Sequence, residues 1–137
     1  MSDLRQLYRE SIRRHAGQPT GFQHDIAATH RHEAYNPLCG DRVEIALRLE
    51  GERILETAFD GEACTICMAS ASMLCETLAG SDTQMLRELN AALTRALAAG
   101  SEQDPPGELA ALGGVRAYPS RVRCATLPWA AALKALA

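Results

Sequence analysis

Three observations predict an α+β fold, with helices packed on one face of a small antiparallel sheet of about three strands. Residues 43–50 alternate Val43, Ile45, Leu47 and Leu49 with Glu44, Ala46, Arg48 and Glu50, the period-two pattern of a half-buried strand. Gly51-Glu52 then turns the chain into a returning strand at 53–59, which makes a hairpin. The segments on either side carry apolar residues at helical spacing, so helices flank the hairpin and have a face to cover. At 137 residues the chain is long enough for one domain, spanning 1–137, with its own core.

Taken in order, Leu4, Leu7, Tyr8, Ile12 and His15 form an amphipathic stripe over residues 3–15, with Asp3 and Gln6 spaced as a capping pair. Gly17, Pro19 and Gly21 end it, and about twenty aperiodic residues follow, through Asn36-Pro37-Leu38-Cys39-Gly40-Asp41. This stretch reads as a loop that carries chemical groups. His30-Arg31-His32-Glu33 within it reads as polar surface. After the hairpin, Asp60-Gly61-Glu62-Ala63 leads to Cys64, then to a short extended piece around Ile66 and a buried helix ending at Gly80. Ser81 and Gln84 have capping-box spacing and open a helix whose stripe is Met85, Leu86, Leu89, Leu93 and Leu97, stopping at Gly100. A polar loop at 101–107 precedes a short apolar helix near 108–112 and Gly113-Gly114. The last segment, 118–137, is helical in composition, but Pro128 requires either a helix starting near Cys124 or a kink.

Composition narrows the function. Fourteen Lys and Arg against 17 Asp and Glu give a net charge of −3, and no basic run exceeds Arg13-Arg14, which excludes a nucleic-acid partner. Hydrophobic residues make up 47% and aromatics 4%, the profile of an ordered, helix-rich protein. No apolar run approaches the ~20 residues of a membrane span. The first residues lack a signal-peptide segment, so a cytoplasmic location is expected.

Five cysteines remain to be explained, Cys39, Cys64, Cys67, Cys75 and Cys124. An odd count in a reducing compartment argues against a disulfide framework, leaving metal ligation, thiol chemistry or burial as small apolar residues. Cys39, Cys64 and Cys124 are each expected where a loop meets a regular element. Gly40 lets Cys39 and Asp41 face one centre, and zinc accepts both thiolate sulfur and carboxylate oxygen. The separations match no zinc-finger spacing, so spacing by itself leaves a four-ligand set of Cys39, Asp41, Cys64 and Cys124 open.

Three blocks carry a resemblance. Residues 35–41 (YNPLCGD), Gly61-Glu62-Ala63-Cys64-Thr65-Ile66 running into Met68-Ala69-Ser70-Ala71-Ser72-Met73, and Arg121-Val122-Arg123-Cys124-Ala125-Thr126-Leu127 with Trp129 stand in this order. Together they resemble the iron–sulfur cluster assembly proteins of the NifU N-terminal/IscU class. Arg123, where IscU-type members carry His, and the segment 101–118 with Gly107-Glu108-Leu109 and Gly113-Gly114-Val115 are similar to the SufU type within it. The resemblance implies Zn²⁺ held by Cys39, Asp41, Cys64 and Cys124 at one end of the fold. It implies a SufS-type cysteine desulfurase as partner, whose persulfide sulfur is accepted first by Cys39 and passed to downstream iron–sulfur assembly machinery. The alternative is a scaffold on which a [2Fe–2S] cluster is built with the same residues. Arg121, one helical turn before Cys124, is a candidate to bias that thiolate, or a surface arginine.

The chain departs from the resemblance at two places. Ala63 stands where a glycine is usual, and Cys67 where a small hydroxyl residue is usual. Cys64-Thr65-Ile66-Cys67 is thereby a Cys-x-x-Cys, though the antiparallel hairpin before it is not the parallel unit of a thioredoxin fold. Cys67 is left as an alternative ligand, an oxidation partner of Cys64, or a buried small residue. Cys75, mid-helix, is expected in the core.

Overall fold

The structure, a computed structural model, describes residues 2–137, with side chains from Gln6 onward. Helix α1 (Ser2–Gly17) is followed by strands β1 (His30–Asn36), β2 (Asp41–Glu50) and β3 (Arg53–Glu62). Helices α2 (Thr65–Leu78) and α3 (Thr83–Ala96), a 3₁₀ helix (Gly107–Ala117) and α4 (Pro119–Ala135) complete the chain. The sheet order is β1-β2-β3, antiparallel throughout, with Asn36 opposite Asp41 and Arg42 opposite Glu62.

The hairpin predicted from alternation is β2–β3, but the third strand is not where the sequence placed it. Residues 30–36, read as loop, are β1; its half-buried face carries His30, His32, Ala34 and buried Asn36, too polar to show a hydrophobic period. His30 and His32 therefore sit on that half-buried face, not in a surface loop. Ile66, expected in an extended piece, lies in the first turn of α2, because Cys64 already caps that helix.

The ends of the remaining helices differ from expectation for local reasons. The cap of α3 is Asp82, whose carboxylate accepts from the Met85 amide at 2.8 Å. Ser81, the expected cap, instead offers its carbonyl to the Ile54 amide at 2.8 Å and so belongs to the edge of β3. Of the α3 stripe, Leu86, Leu93 and Leu97 are buried, whereas Met85 is exposed. Gly113 and Gly114, expected to follow a short helix, lie inside the 3₁₀ helix. Helix α4 starts at Pro119, in the first turn where proline costs nothing, and runs on through Pro128. Pro128 has no amide to offer the Cys124 carbonyl four residues earlier, so one rung of the helix is missing behind that cysteine. The side chain of Asp3 lies outside the described residues, as does that of Leu4.

Helix α2 is the centre of the molecule. It is buried along most of its length, from Cys67 to Leu78, and packs on α1, α4 and β3, while α4 covers β1 and β2. Ile45, Leu47 and Phe59 from the sheet meet Met73, Leu74 and Leu78 of α2 and Trp129 of α4 in one cluster. Ser70 locks α2 to α4: its hydroxyl donates to the Ala125 carbonyl at 2.5 Å and accepts from the Trp129 indole at 3.2 Å. Helix α1 docks through buried His15, whose Nδ1 lies 2.7 Å from the Ser72 hydroxyl and Nε2 3.0 Å from a Glu108 oxygen. Glu108 also accepts from the Ser11 hydroxyl, and this bond, then His15, holds its carboxyl below the ordinary range.

Two outcomes are expected. Ser70→Ala leaves the buried Trp129 N–H unpaired and should cost about 1–3 kcal/mol in urea unfolding. Because the Glu108 carboxyl is lowered on folding, it stabilises the fold above the ordinary carboxylate range, and that stability is lost as pH falls through the lowered value. Glu108→Gln should flatten the acid limb of stability measured by urea midpoints, while the neutral-pH value falls only modestly, since the group is partly exposed.

Candidate metal centre

The turn between β1 and β2 presents the first two groups. Asn36 organises it: its side-chain oxygen accepts from the Leu38 amide at 3.1 Å, and its carbonyl accepts from the Cys39 and Gly40 amides at 3.3 and 2.8 Å. Gly40 has φ +75, a left-handed conformation that a side chain disfavours, and it swings Cys39 out to the exposed tip while Asp41 turns in. At the far end of the β2–β3 pairing, a Cβ on Gly61 would lie 2.1 Å from the Arg42 carbonyl, so only glycine lets β3 close beside the Asp41 segment.

Asp41 gathers the other groups. Its Oδ1 accepts from the Cys64 amide at 2.8 Å, and its Oδ2 accepts from the Cys39 and Cys64 thiols at 3.1 and 3.4 Å. Cys64 is half-buried at the N-cap of α2, its sulfur accepting from the Cys67 amide at 3.5 Å. Cys124 is buried in the second turn of α4, with its Sγ 3.8 Å from that of Cys39. Cys124 thus sits inside a helix and not where a loop meets one, because α4 begins earlier than expected.

All four predicted ligands therefore come to one end of the sheet. Ligand atoms of Cys39, Asp41 and Cys124 lie within 4.8 Å of one another; Cys64 stands slightly off this trio, bound to it through Asp41. A tetrahedral zinc with ~2.3 Å bonds to sulfur separates neighbouring sulfurs by ~3.8 Å. The Cys39–Cys124 separation matches that edge. Three sulfurs and one carboxylate oxygen are also a donor set that zinc accepts, so the residues fit the ion.

The charges follow from the packing. Burial alone would raise the Asp41 carboxyl, but hydrogen bonds from Cys39, Cys124 and Cys64 outweigh it and hold it below the ordinary value. Burial, then the proximity of Asp41 and Cys64, pushes the Cys124 thiol up. A divalent cation reverses that balance, since binding requires the thiolate and expels its proton.

The other candidates fall elsewhere. Arg121 is exposed on α4, its side chain makes no hydrogen bond or ion pair among the described residues, and the groups that shift Cys124 do not include it. Cys67 is fully buried one turn behind Cys64, its thiol raised by burial and then by the charge of Asp41, while burial pushes Cys75 up to about 12 in the core. Asn36, which organises the turn, is signalled in the sequence only by its place in an Asn-Pro pair before a glycine.

Residues 7–125 match the NifU-like N-terminal domain. The chain belongs to that family. Over 141 aligned residues it is 34% identical to the zinc-dependent sulfurtransferase SufU of Bacillus subtilis, covering 99% of this chain and 93% of that protein. It is 30% identical to the iron–sulfur cluster assembly scaffold protein IscU of Streptococcus pyogenes, covering 99% and 86%. A crystal structure of an iron–sulfur cluster assembly scaffold protein for the SUF system, from Fervidobacterium islandicum, superposes with a TM-score of 0.82 at 28% identity, covering 93% and 95%. This member of the NifU-like family is thus an iron–sulfur cluster assembly protein of the scaffold and SufU group, with the family's α+β fold. Among the described residues no helix is long and apolar enough to cross a membrane.

Asp41 offers the candidate site an oxygen and also positions two thiols. Asp41→Ala should therefore weaken zinc binding by more than the ~10–100-fold typical of losing an outer hydrogen-bond partner, measured by competition with a chromogenic chelator.

Proposed function

We propose that this protein is a zinc-dependent acceptor of persulfide sulfur from a SufS-type cysteine desulfurase, working in the cytoplasm and passing the sulfur toward iron–sulfur cluster assembly. The observation that carries the reading is the convergence of three thiols on one carboxylate with a sulfur–sulfur separation of 3.8 Å, the edge of a tetrahedral zinc site. Similarity to a protein named a zinc-dependent sulfurtransferase supports it.

Cys39, Asp41, Cys64 and Cys124 would hold the zinc, which keeps the bound thiols deprotonated at neutral pH and restrained as nucleophiles. The chain's own residues then divide the work. Cys39 is exposed at the tip of a turn and is the thiol a partner's persulfide reaches first, whereas Cys124 is buried. Its thiolate attacks the outer sulfur of the partner's persulfide, a new S–S bond forms on Cys39, the partner's S–S bond breaks, and the partner's cysteine leaves as thiolate. Asp41 orients the protonated Cys39 thiol through the 3.1 Å hydrogen bond, which ends when that proton leaves, while Cys64 is held at the N-cap of α2 and Cys124 within α4.

A second reading, a scaffold for a [2Fe–2S] cluster on the same donors, is favoured by the scaffold names of two of the similar proteins. Metal analysis of protein purified without oxygen separates them: one colourless zinc per chain fits the first, a brown iron- and sulfide-containing product the second. For sulfur acceptance, Cys39→Ser should abolish stimulation of desulfurase turnover. Transfer at the wild-type rate would overturn the assignment and point to Cys124.

A further inference from the structure

One thiol beside the site is not used by the chemistry above. Cys67 lies three residues after Cys64, at the third position of α2, where a helix brings side chains three apart onto one face with Cβ atoms ~5–6 Å apart. Cys64 itself precedes the helix, and its sulfur leans over the first turn onto the Cys67 amide at 3.5 Å. The pair thus occupies the N-cap and the third position of one helix, neighbours across its first turn. Exposure distinguishes the two: Cys64 is half-buried, while Cys67 is sealed at 0%. Cys64 is also the ligand that stands off the compact Cys39, Asp41 and Cys124 trio.

We propose that Cys64 and Cys67 form a hydroperoxide-sensitive dithiol, in which Cys67 resolves oxidised Cys64 as an intrachain disulfide and removes Cys64 from the metal ligands. Between Cys64 and Cys67 the order of events follows from access. Hydroperoxide reaches Cys64, whose thiolate sulfur attacks one peroxide oxygen; an S–O bond forms, the O–O bond breaks, and hydroxide or alkoxide leaves and takes a proton from water. Cys64 is now a sulfenic acid, oxidised by two electrons. The Cys67 sulfur attacks the Cys64 sulfur; the S–S bond forms, the S–O bond breaks, and the hydroxyl leaves as water with the Cys67 proton. Two thiols have supplied the two electrons that reduce the peroxide, and a dithiol reductant reverses the change. Closing this pair costs the site one ligand, whereas a disulfide between Cys39 and Cys124, whose sulfurs are 3.8 Å apart, costs two. The inference does not rest on the sulfur-transfer reading.

The test treats the zinc-loaded full chain with hydrogen peroxide, follows zinc release with a chromogenic chelator, and maps disulfides by alkylation and peptide mass spectrometry. Cys64, Cys67 and Cys75 fall in one tryptic peptide, between Arg53 and Arg87, so fragmentation is needed to tell Cys67 from Cys75. The expected result is a Cys64–Cys67 disulfide that forms with zinc release and is restored by dithiothreitol and added zinc. Cys67→Ser should release zinc but recover about half or less of the wild-type binding after reduction, because Cys64 proceeds to the sulfinic acid. The proposal is overturned if oxidised wild type, unfolded before alkylation, still carries a free Cys67 thiol, with the disulfide joining Cys39 and Cys124 instead, or if Cys67→Ser recovers as fully as wild type. Mapping of wild type is decisive alone should Cys67→Ser fail to fold.

Discussion

A single carboxylate holds the functional end of this protein together. Asp41 spends one oxygen on the Cys64 amide and the other on the thiols of Cys39 and Cys64, so it joins the start of β2, the preceding turn and the first turn of α2. An amide hydrogen bond to an ionised acceptor is stronger than one to a neutral acceptor, and here it also orients the sulfur that follows. The carboxylate is buried, which would be costly without partners; with them it stays charged and presents negative potential to the candidate metal site.

That arrangement has meaning only because the elements behind it are rigid. Cys64 caps α2 and Cys124 stands within α4, and those helices are locked by Ser70, by Trp129 and by the apolar cluster beneath. Cys39 stands on a turn instead, exposed and held by Asn36 and by the conformation of Gly40. Among its thiols the site thus combines two fixed groups with one accessible group, a division that would suit the proposed sulfur acceptance.

The hairpin was legible in the sequence because its alternating residues are buried on one side, and the meeting of Cys39, Asp41, Cys64 and Cys124 at one end of the sheet because three sequence blocks surround them. The strand β1 was not, since its inner face is His30, His32, Ala34 and Asn36, and a polar inner face leaves no period to read. Capping was misplaced by one residue for a tertiary reason: the Ser81 carbonyl is claimed by Ile54 across a gap in sequence that no local pattern reveals. Pro128 argued for a helix starting near Cys124 or for a kink; α4 starts earlier, at Pro119, and runs on through Pro128, because packing of Trp129 and its neighbours outweighs one lost rung. For Cys67 the sequence left three roles open, and burial is what the structure adds.

The donors also come from three distant parts of the chain, the β1–β2 turn, the head of α2 and the body of α4. An ion held by all of them is therefore a cross-link between segments that are independent when unfolded. Among the described residues every buried side-chain nitrogen and oxygen already has a protein partner, so the fold does not wait on the ion to satisfy its interior. An ion bound there would act by mass action, adding ~4 kcal/mol of stability at a free concentration a thousand times its dissociation constant. Metal supply in the cell would in that way set how long the chain survives, as well as what it can do.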